Sequence, residues 1–410
     1  MAEVTQIDAE WTGQAGPRGA RVRSDCWVGV APRDSGAVEI QLESSVEPYY
    51  GDAIRALLGA GAEALGLTHG LVRMEDGGAL PFALMARFEA AVRAASPETA
   101  ARWIPAQDVD TSDGPERDRP RRSRLYLPGS QPKLFPNAAL YGPDAVILDL
   151  EDSVAPDGKV AARILVRNAL RQVDFGSSER MVRINQGALG LEDVDEIADQ
   201  PVDLILIPKT ETAADVEAVD QRIRAATDRE ILLMPIVESA LGIRNADAIA
   251  AASDRNVALT IGLEDYTADL GVARTDEGRE SLWARSQVVN AARAAGIVAI
   301  DSVYSDVADA AGLRTSVEEA RSLGFEGKGC IHPRQIRVIH DAFAPTPEEV
   351  EKATAIVRAF RKAQAEGLGV VSLGTKMIDP PVVARAEQTV RSAIATGRLA
   401  ADWENAGSAQ

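Results

Sequence analysis

Cysteine and histidine are nearly missing from this chain. Cys26 and Cys330 are its only cysteines; they lie far apart without metal-type spacing, which excludes a disulfide framework and a zinc site and fits a reducing compartment. Its only histidines are His69, His332 and His340, so a histidine-rich metal centre is excluded and a Ser-His-Asp triad has few candidates. Long apolar runs are absent too. None approaches the roughly 20 residues of a spanning helix, and the N-terminus lacks a basic stretch followed by a hydrophobic one, so a cytoplasmic location with no membrane partner is expected. Positive charge is in the minority, 44 Lys and Arg against 62 Asp and Glu, for a net charge of -18. A polyanion would be repelled unless basic residues were segregated into a stripe, and the mixed stretch from Arg117 to Arg124 is too short to be one, which argues against nucleic acid as a partner. Aromatics make up only 4% of residues, yet hydrophobics reach 46%, enough for a sizeable core in more than one domain.

Residues 17–97 read as a small α+β unit. Cys26 to Ala31, Ala37 to Leu42 and Leu71 to Met74 have strand character, and Tyr50 to Leu65 and Pro81 to Ala94 have helical periodicity. Gly59-Ala60-Gly61 looks like the start of a dinucleotide loop, but it sits inside a helical pattern with no preceding strand and is discounted. Residues 98–120, rich in Asp, Pro, Arg and Ser, have the composition of a solvated linker. From 121 to 345 strands and helices alternate: Arg124 to Leu127, Ala145 to Leu150, Met181 to Ile184, Leu204 to Ile207, Ile231 to Val237, Ala258 to Leu263, Ile297 to Asp301 and Gly324 to Ile331 are the candidate strands. About eight such units in some 220 residues point to an α/β fold of the (β/α)8 TIM-barrel type, with a doubly wound open sheet as the alternative. Residues 346–410 are a helical tail in excess of what a barrel needs.

Active-site residues of such a barrel come from the C-terminal ends of the strands. Those positions carry Asp149, Glu151 and Asp152, then Arg183 and Asn185, Lys209, Glu238 and Asp265. Two buried strands ending on carboxylates, Glu238 and Asp265, imply a cation between them, because an unpaired buried carboxylate costs several kcal/mol. An acidic cluster with one arginine suits a hard metal such as Mg2+, with Arg183 left over for an anionic substrate. The competing reading is a ring of structural ion pairs around the barrel mouth. Lys209 could form a Schiff base, but so many acids nearby raise its pKa and favour a supporting role. His332, after the last strand, reads as structural.

These residues, within Arg122-Ser123-Arg124-Leu125-Tyr126-Leu127-Pro128-Gly129, Asp149-Leu150-Glu151-Asp152-Ser153, Val182-Arg183-Ile184-Asn185, Pro208-Lys209-Thr210, Val237-Glu238-Ser239-Ala240-Leu241-Gly242, Gly262-Leu263-Glu264-Asp265-Tyr266 and Lys376-Met377-Ile378-Asp379, resemble the citrate lyase beta-subunit family. The resemblance implies a trimeric, Mg2+-dependent barrel that splits citryl, citramalyl or malyl thioesters to an acetyl thioester and an oxo acid. It implies Glu238 and Asp265 as metal ligands, Arg183 and Glu238 as substrate contacts, and Glu151 and Asp152 as support for the metal. Asp379 would be the acid/base residue, carried into a neighbouring subunit by the tail after about Gly367. Thioester hydrolysis and a malate-synthase-like condensation are alternatives that use the same enolate chemistry.

The first unit, through Ser24-Asp25-Cys26-Trp27-Val28-Gly29-Val30-Ala31-Pro32, Glu43-Ser44-Ser45-Val46 and Asp76-Gly77-Gly78-Ala79-Leu80, resembles the citrate lyase acyl carrier subunit. In that family a serine two positions before the Asp bears a phosphoribosyl-dephospho-CoA arm. Here that position is Arg23, and Ser24 is the candidate attachment residue. An acyl transferase subunit is a further expected partner, and a simple docking role for this unit is the alternative.

Overall fold

Most strands of the second unit are apolar on both faces, as in Ala145–Asp149, Leu204–Ile207 and Leu232–Val237, and this favours a sheet covered on both sides. In the computed structural model, which describes residues 11–109, 114–365, 371–373 and 376–404, they form a closed parallel barrel. The first unit comes earlier in the chain: β1 (Gly13–Ala15), β2 (Cys26–Pro32), β3 (Val38–Ser44), α1 (Glu47–Ala64), β4 (Gly70–Asp76) and α2 (Pro81–Ala95). Its sheet runs β1-β2-β4-β3, with β3 parallel to β4 and the other pairs antiparallel. Val28, Val30, Leu58, Met85 and Phe88 fill the space between sheet and helices. Gly61 lets α1 close on α2, since a Cβ there would lie 2.2 Å from Met85 Cε; this explains the second glycine of the sequence that imitates a nucleotide loop.

The barrel consists of β5 (Ser123–Pro128), β6 (Ala145–Asp149), α3 (Lys159–Gln172), β7 (Glu179–Arg183), α4 (Gly187–Ile197), β8 (Leu204–Ile207), α5 (Ala213–Ala226), β9 (Leu232–Val237), α6 (Ala240–Arg244), α7 (Ala246–Ala250), β10 (Ala258–Ile261), α8 (Leu263–Asp269), α9 (Leu282–Ala294), β11 (Val298–Asp301), α10 (Ala310–Leu323), β12 (Gly327–Cys330) and α11 (Pro333–Phe343). Neighbouring strands pair in parallel from β5 to β12, and β12 closes onto β5, which settles the choice against an open sheet. Ile147, Met181, Leu206, Met234, Ile236 and Ile300 pack the interior. The opposite strand faces pack under the helices in a larger cluster.

Residues 98–120 contain no regular element among those described, and they are anchored along their length. Trp103, Asp108 and Arg119 hydrogen-bond to the barrel unit, and Arg121, just beyond, makes a buried bidentate pair with Glu179 at 2.7 Å. Most of its described residues are exposed, so the polar composition of this segment reflects hydration together with a few anchoring groups. The first unit is docked as well. Phe82, Ala83, Ala86 and Ala90 of α2 share a buried cluster with Ile164, Val166 and Ala169 of α3. Across this junction Arg167, fully buried, bonds Glu89 at 2.7 and 3.0 Å and Glu196 at 2.5 Å.

The tail comprises α12 (Pro347–Ala365), β13 (Val371–Leu373), β14 (Lys376–Ile378) and α13 (Pro380–Ala395). Ile356, Val357, Val383, Val390 and Trp403 give it a core of its own. Ion pairs Arg398–Asp341 and Arg321–Glu349 tie it to the barrel helices. Gly367 lies outside the described residues. Among the described residues no helix is long and apolar enough to cross a membrane.

Candidate active site

The C-terminal ends of the barrel strands open onto a cavity of about 420 Å³, lined among others by Arg124, Tyr126, Asp149, Asp152, Arg183, Glu238 and Asp265. The sequence-predicted acids and arginine thus meet at one mouth. Arg183 is not left over, however. Its Nε and Nη2 donate to Asp149 at 2.6 and 2.8 Å, and its Nη1 lies 2.9 Å from Glu151 and 3.2 Å from Asp152. The guanidinium also lies over the Tyr126 ring, 5.3 Å from its centroid. Burial raises the Asp149 carboxyl, but the hydrogen bonds and charge of Arg183 outweigh it and hold it below the usual carboxylate range. Asp149 was visible at a strand end and its role was missed, because the sequence does not say which acid the arginine will choose.

Glu238 is the most perturbed acid at the mouth. It is 5% exposed, and burial, reinforced by the charges of Asp265 and Glu151, pushes its carboxyl up to about 8. Its Oε1 accepts the backbone N–H of Lys209 at 2.7 Å. The other oxygen faces Gly262, where a Cβ would lie 2.2 Å from it, so only glycine leaves room for this carboxylate. Lys209 itself has φ +46, one of two non-glycine residues in the left-handed region among those described; that strained turn aims its amide at Glu238. Its ammonium lies 3.1 Å from Glu151, 3.4 Å from Asp152 and 3.9 Å from Asp265. Burial works against its charge, but Glu151 and its neighbours raise its pKa, which rules against a neutral Schiff-base amine.

Asp265 is not at a strand end. β10 stops at Ile261 and α8 begins at Leu263, so Asp265 sits in the first helical turn with its side chain 44% exposed. It still lines the same cavity as Glu238. No group of three or more His, Cys, Asp or Glu close enough to share a metal occurs among the described residues. A cation here would take two carboxylates, Glu238 and Asp265, and leave its other positions to water and substrate, the coordination Mg2+ prefers. The buried, singly hydrogen-bonded Glu238 is the observation that fits it.

Arg124 forms part of the cavity lining and was not singled out by its sequence position within an apolar strand. It is 1% exposed, contacts Met234 Sδ at 3.0 Å and Thr260 Oγ1 at 3.3 Å, and has no acid partner among the described residues; its Nε lacks any partner. Burial lowers its pKa. Asp379 is absent from the cavity lining of its own chain. It is exposed and caps α13, accepting from Val382 N at 3.1 Å. His332 caps α11, its Nδ1 accepting from Arg334 N. In the first unit Ser24 is exposed at φ +55, while Asp25 beside it is buried and held by Arg87 at 2.8 and 3.0 Å.

Comparison with known proteins places this geometry. Residues 122–333 match the family described as HpcH/HpaI aldolase/citrate lyase, and residues 17–95 match that of the malonate decarboxylase delta subunit (MdcD), an acyl-carrier type. The chain is 41% identical over 281 residues to citrate lyase subunit beta of Haemophilus influenzae, covering 67% of this chain and 97% of that protein. It is 37% identical over 276 residues to (3S)-malyl-CoA thioesterase of Cereibacter sphaeroides, covering 67% and 95%. Protein CitE of Mycobacterium tuberculosis, solved with magnesium, acetoacetate and coenzyme A, matches with a TM-score of 0.58 at 33% identity, over 68% of this chain and 99% of that one.

Proposed function

This chain belongs to the HpcH/HpaI aldolase/citrate lyase family of oxo-acid lyases, and from that premise we propose that it splits a 3-hydroxy-3-carboxyacyl thioester into an acetyl thioester and an oxo acid, with Mg2+ at Glu238 and Asp265. The observation that carries the reading is the buried Glu238, uncompensated beside Asp265 in a cavity that also holds Arg183. When bound, Mg2+ would supply Lewis-acid stabilisation of the oxo acid's carboxylate and forming carbonyl.

The chain's own residues do the remaining work. Arg183, fixed by Asp149 and stacked on Tyr126, offers a preorganised charged donor where oxyanion charge develops, and preorganisation avoids reorienting solvent during the reaction. Lys209, Glu151 and Asp152 hold that constellation together. Asp379 moves the proton between the substrate and solvent. Its absence from its own cavity, on a tail with a separate core, supports delivery to a neighbouring subunit in a closed trimer. On this reading residues 17–97 are the carrier-like unit, 98–120 the connector, 121–345 the lyase and 346–410 the exchanged extension. Arg124, a buried cation without an acid, favours an oxo acid bearing a second carboxylate, such as oxaloacetate, over pyruvate or glyoxylate.

Citryl, citramalyl and malyl CoA thioesters assayed with Mg2+ test the proposal. Release of the oxo acid together with a stable acetyl thioester is expected, fastest from citryl-CoA. Appearance of free CoA and acid without carbon–carbon cleavage would instead favour the thioesterase reading that the Cereibacter relative suggests. Mixing Asp379→Ala with Arg183→Ala subunits tests the shared site: activity returns only if mixed oligomers place both missing groups in one cavity.

A further inference from the structure

We propose that the groove between the first unit and the barrel binds the phosphate groups of a free acyl-CoA thioester, with Arg21 and Arg23 of the fused unit serving as part of the lyase's substrate site. The inference rests on the thioester reading above and adds to it a ligand site that the barrel alone does not form.

The groove encloses about 1420 Å³ between the segment preceding β2 and the loops after β5 and β6. It lies beside the reaction cavity along the loops after β5 and β6. Ser130 and Ala155 line the groove, and Pro128 and Ser153, each two residues earlier, line the cavity, so the two spaces are within about 7 Å along the backbone. A thioester reacting at Glu238 and Arg183 would extend its long flexible arm in this direction.

Charge identifies what the groove accepts. In a chain of net charge -18, its lining carries Arg18, Arg21, Arg23, Arg87, Arg93 and Lys133 against only Asp25 and Asp157. The cations divide into two sets, and Arg93, paired with Glu89 and Glu196, belongs with the engaged one. Arg18 is fixed by Glu75 and the Trp27 ring, and Arg87 by Asp25 and, across the junction, by the Ser130 carbonyl at 2.8 Å. These shape the wall. Arg21, Arg23 and Lys133 are exposed and make no ion pair or side-chain hydrogen bond among the described residues. Three unengaged cations, two from the first unit and one from the barrel, line this one groove and suit a multiply charged anion, and guanidinium groups match phosphate oxygens in bidentate fashion.

Phosphates on such an arm could come from a free CoA thioester or from an arm esterified to Ser24, and the experiment separates the two. The full chain is checked by intact mass and then titrated calorimetrically with coenzyme A at low and high salt, as wild type, as Arg21→Ala/Arg23→Ala, as Lys133→Ala and as the control Arg33→Ala. Both exposed arginines lack partners, so the double variant should fold normally. The expected result is an unmodified mass, CoA affinity lowered about tenfold in the double variant with a shallower salt dependence, a smaller loss in Lys133→Ala and none in the control. In turnover assays the KM for the thioester should rise far more than kcat falls. An adduct at Ser24 with no binding of added CoA, or a double variant within twofold of wild type in both affinity and KM, would overturn the proposal. If CoA binds through the arginines but no thioester is cleaved, the groove stands and the lyase reading fails. If thioesters are cleaved with unchanged KM in the double variant, the reverse holds.

Discussion

Two places in this molecule take carboxylates out of water, and they do it differently. At the junction between the units, Glu89 and Glu196 share the fully buried Arg167, and Trp103 and Asn168 complete its hydrogen bonds. At the barrel mouth, Arg183 serves Asp149, Glu151 and Asp152, while Glu238 receives only a backbone amide and is pushed up to about 8 by burial. The junction is electrostatically complete within the chain. The mouth leaves Glu238 without an ion pair among the described residues, and on the proposed reading a cation from outside completes it; that difference would separate a structural ion network from a site.

The sharpest break of this comparison is the double variant Glu238→Gln/Asp265→Asn. It should lower Mg2+-dependent turnover by about three orders of magnitude or more, without reducing the metal-free protein's resistance to denaturant; retained turnover in a thioester cleavage assay would erase the distinction between the two regions. Arg167→Ala should do the converse, costing about 3 kcal/mol by urea unfolding because it removes the fully buried cation that Glu89 and Glu196 share and leaves them only the more exposed Arg93 and Arg102, while the fraction that remains folded keeps its kcat.

Acidity offers a third contrast. The Glu238 carboxyl sits at about 8 in the folded chain against an ordinary value of 4.5. The stability its protonated form contributes is therefore full below about pH 4.5 and is lost as pH rises through about 8. Metal-free protein should lose roughly 2 kcal/mol or more across this window. Glu238→Gln should be flat over the same range, as measured by urea midpoints from pH 5 to 8, and saturating Mg2+ should offset the loss in wild type. A smaller effect concerns Arg124. Arg124→Met should lower kcat/KM for citryl-CoA about tenfold more than for citramalyl-CoA, with no loss of stability, because a buried cation without an acid is replaced by a side chain of similar length.

Much of this was legible in the sequence, for identifiable reasons. Most barrel strands appear as short apolar runs because both faces of a parallel barrel are buried, β12 with Gly327-Lys328-Gly329-Cys330 being an exception, and Leu204–Ile207 has the same limits in sequence and structure. The acids at the mouth are visible because carboxylates interrupt those runs. What escaped depends on nonlocal partners or local backbone geometry. Asp265 was placed on a strand end because Gly262-Leu263 continues the apolar pattern, whereas the chain turns at Gly262 straight into α8. The pairing of Arg183 with Asp149 and the isolation of Arg124 follow from register around the barrel, which no single segment contains. The linker's arginines read as solvated, since the sequence does not reveal that Arg119 reaches the carbonyls of Asp144 and Ser177.

Isothermal titration of the metal-free full chain with Mg2+ near pH 7, in buffers of different protonation enthalpy, tests the central claim most directly. Because Glu238 is mostly protonated there, a cation held by it must displace that proton. The predicted result is one site per chain, release of about one proton per ion, affinity that rises up to about pH 8, and no binding in Glu238→Gln. Absence of Mg2+ binding in wild type, or binding without proton release that persists in Glu238→Gln, would contradict it.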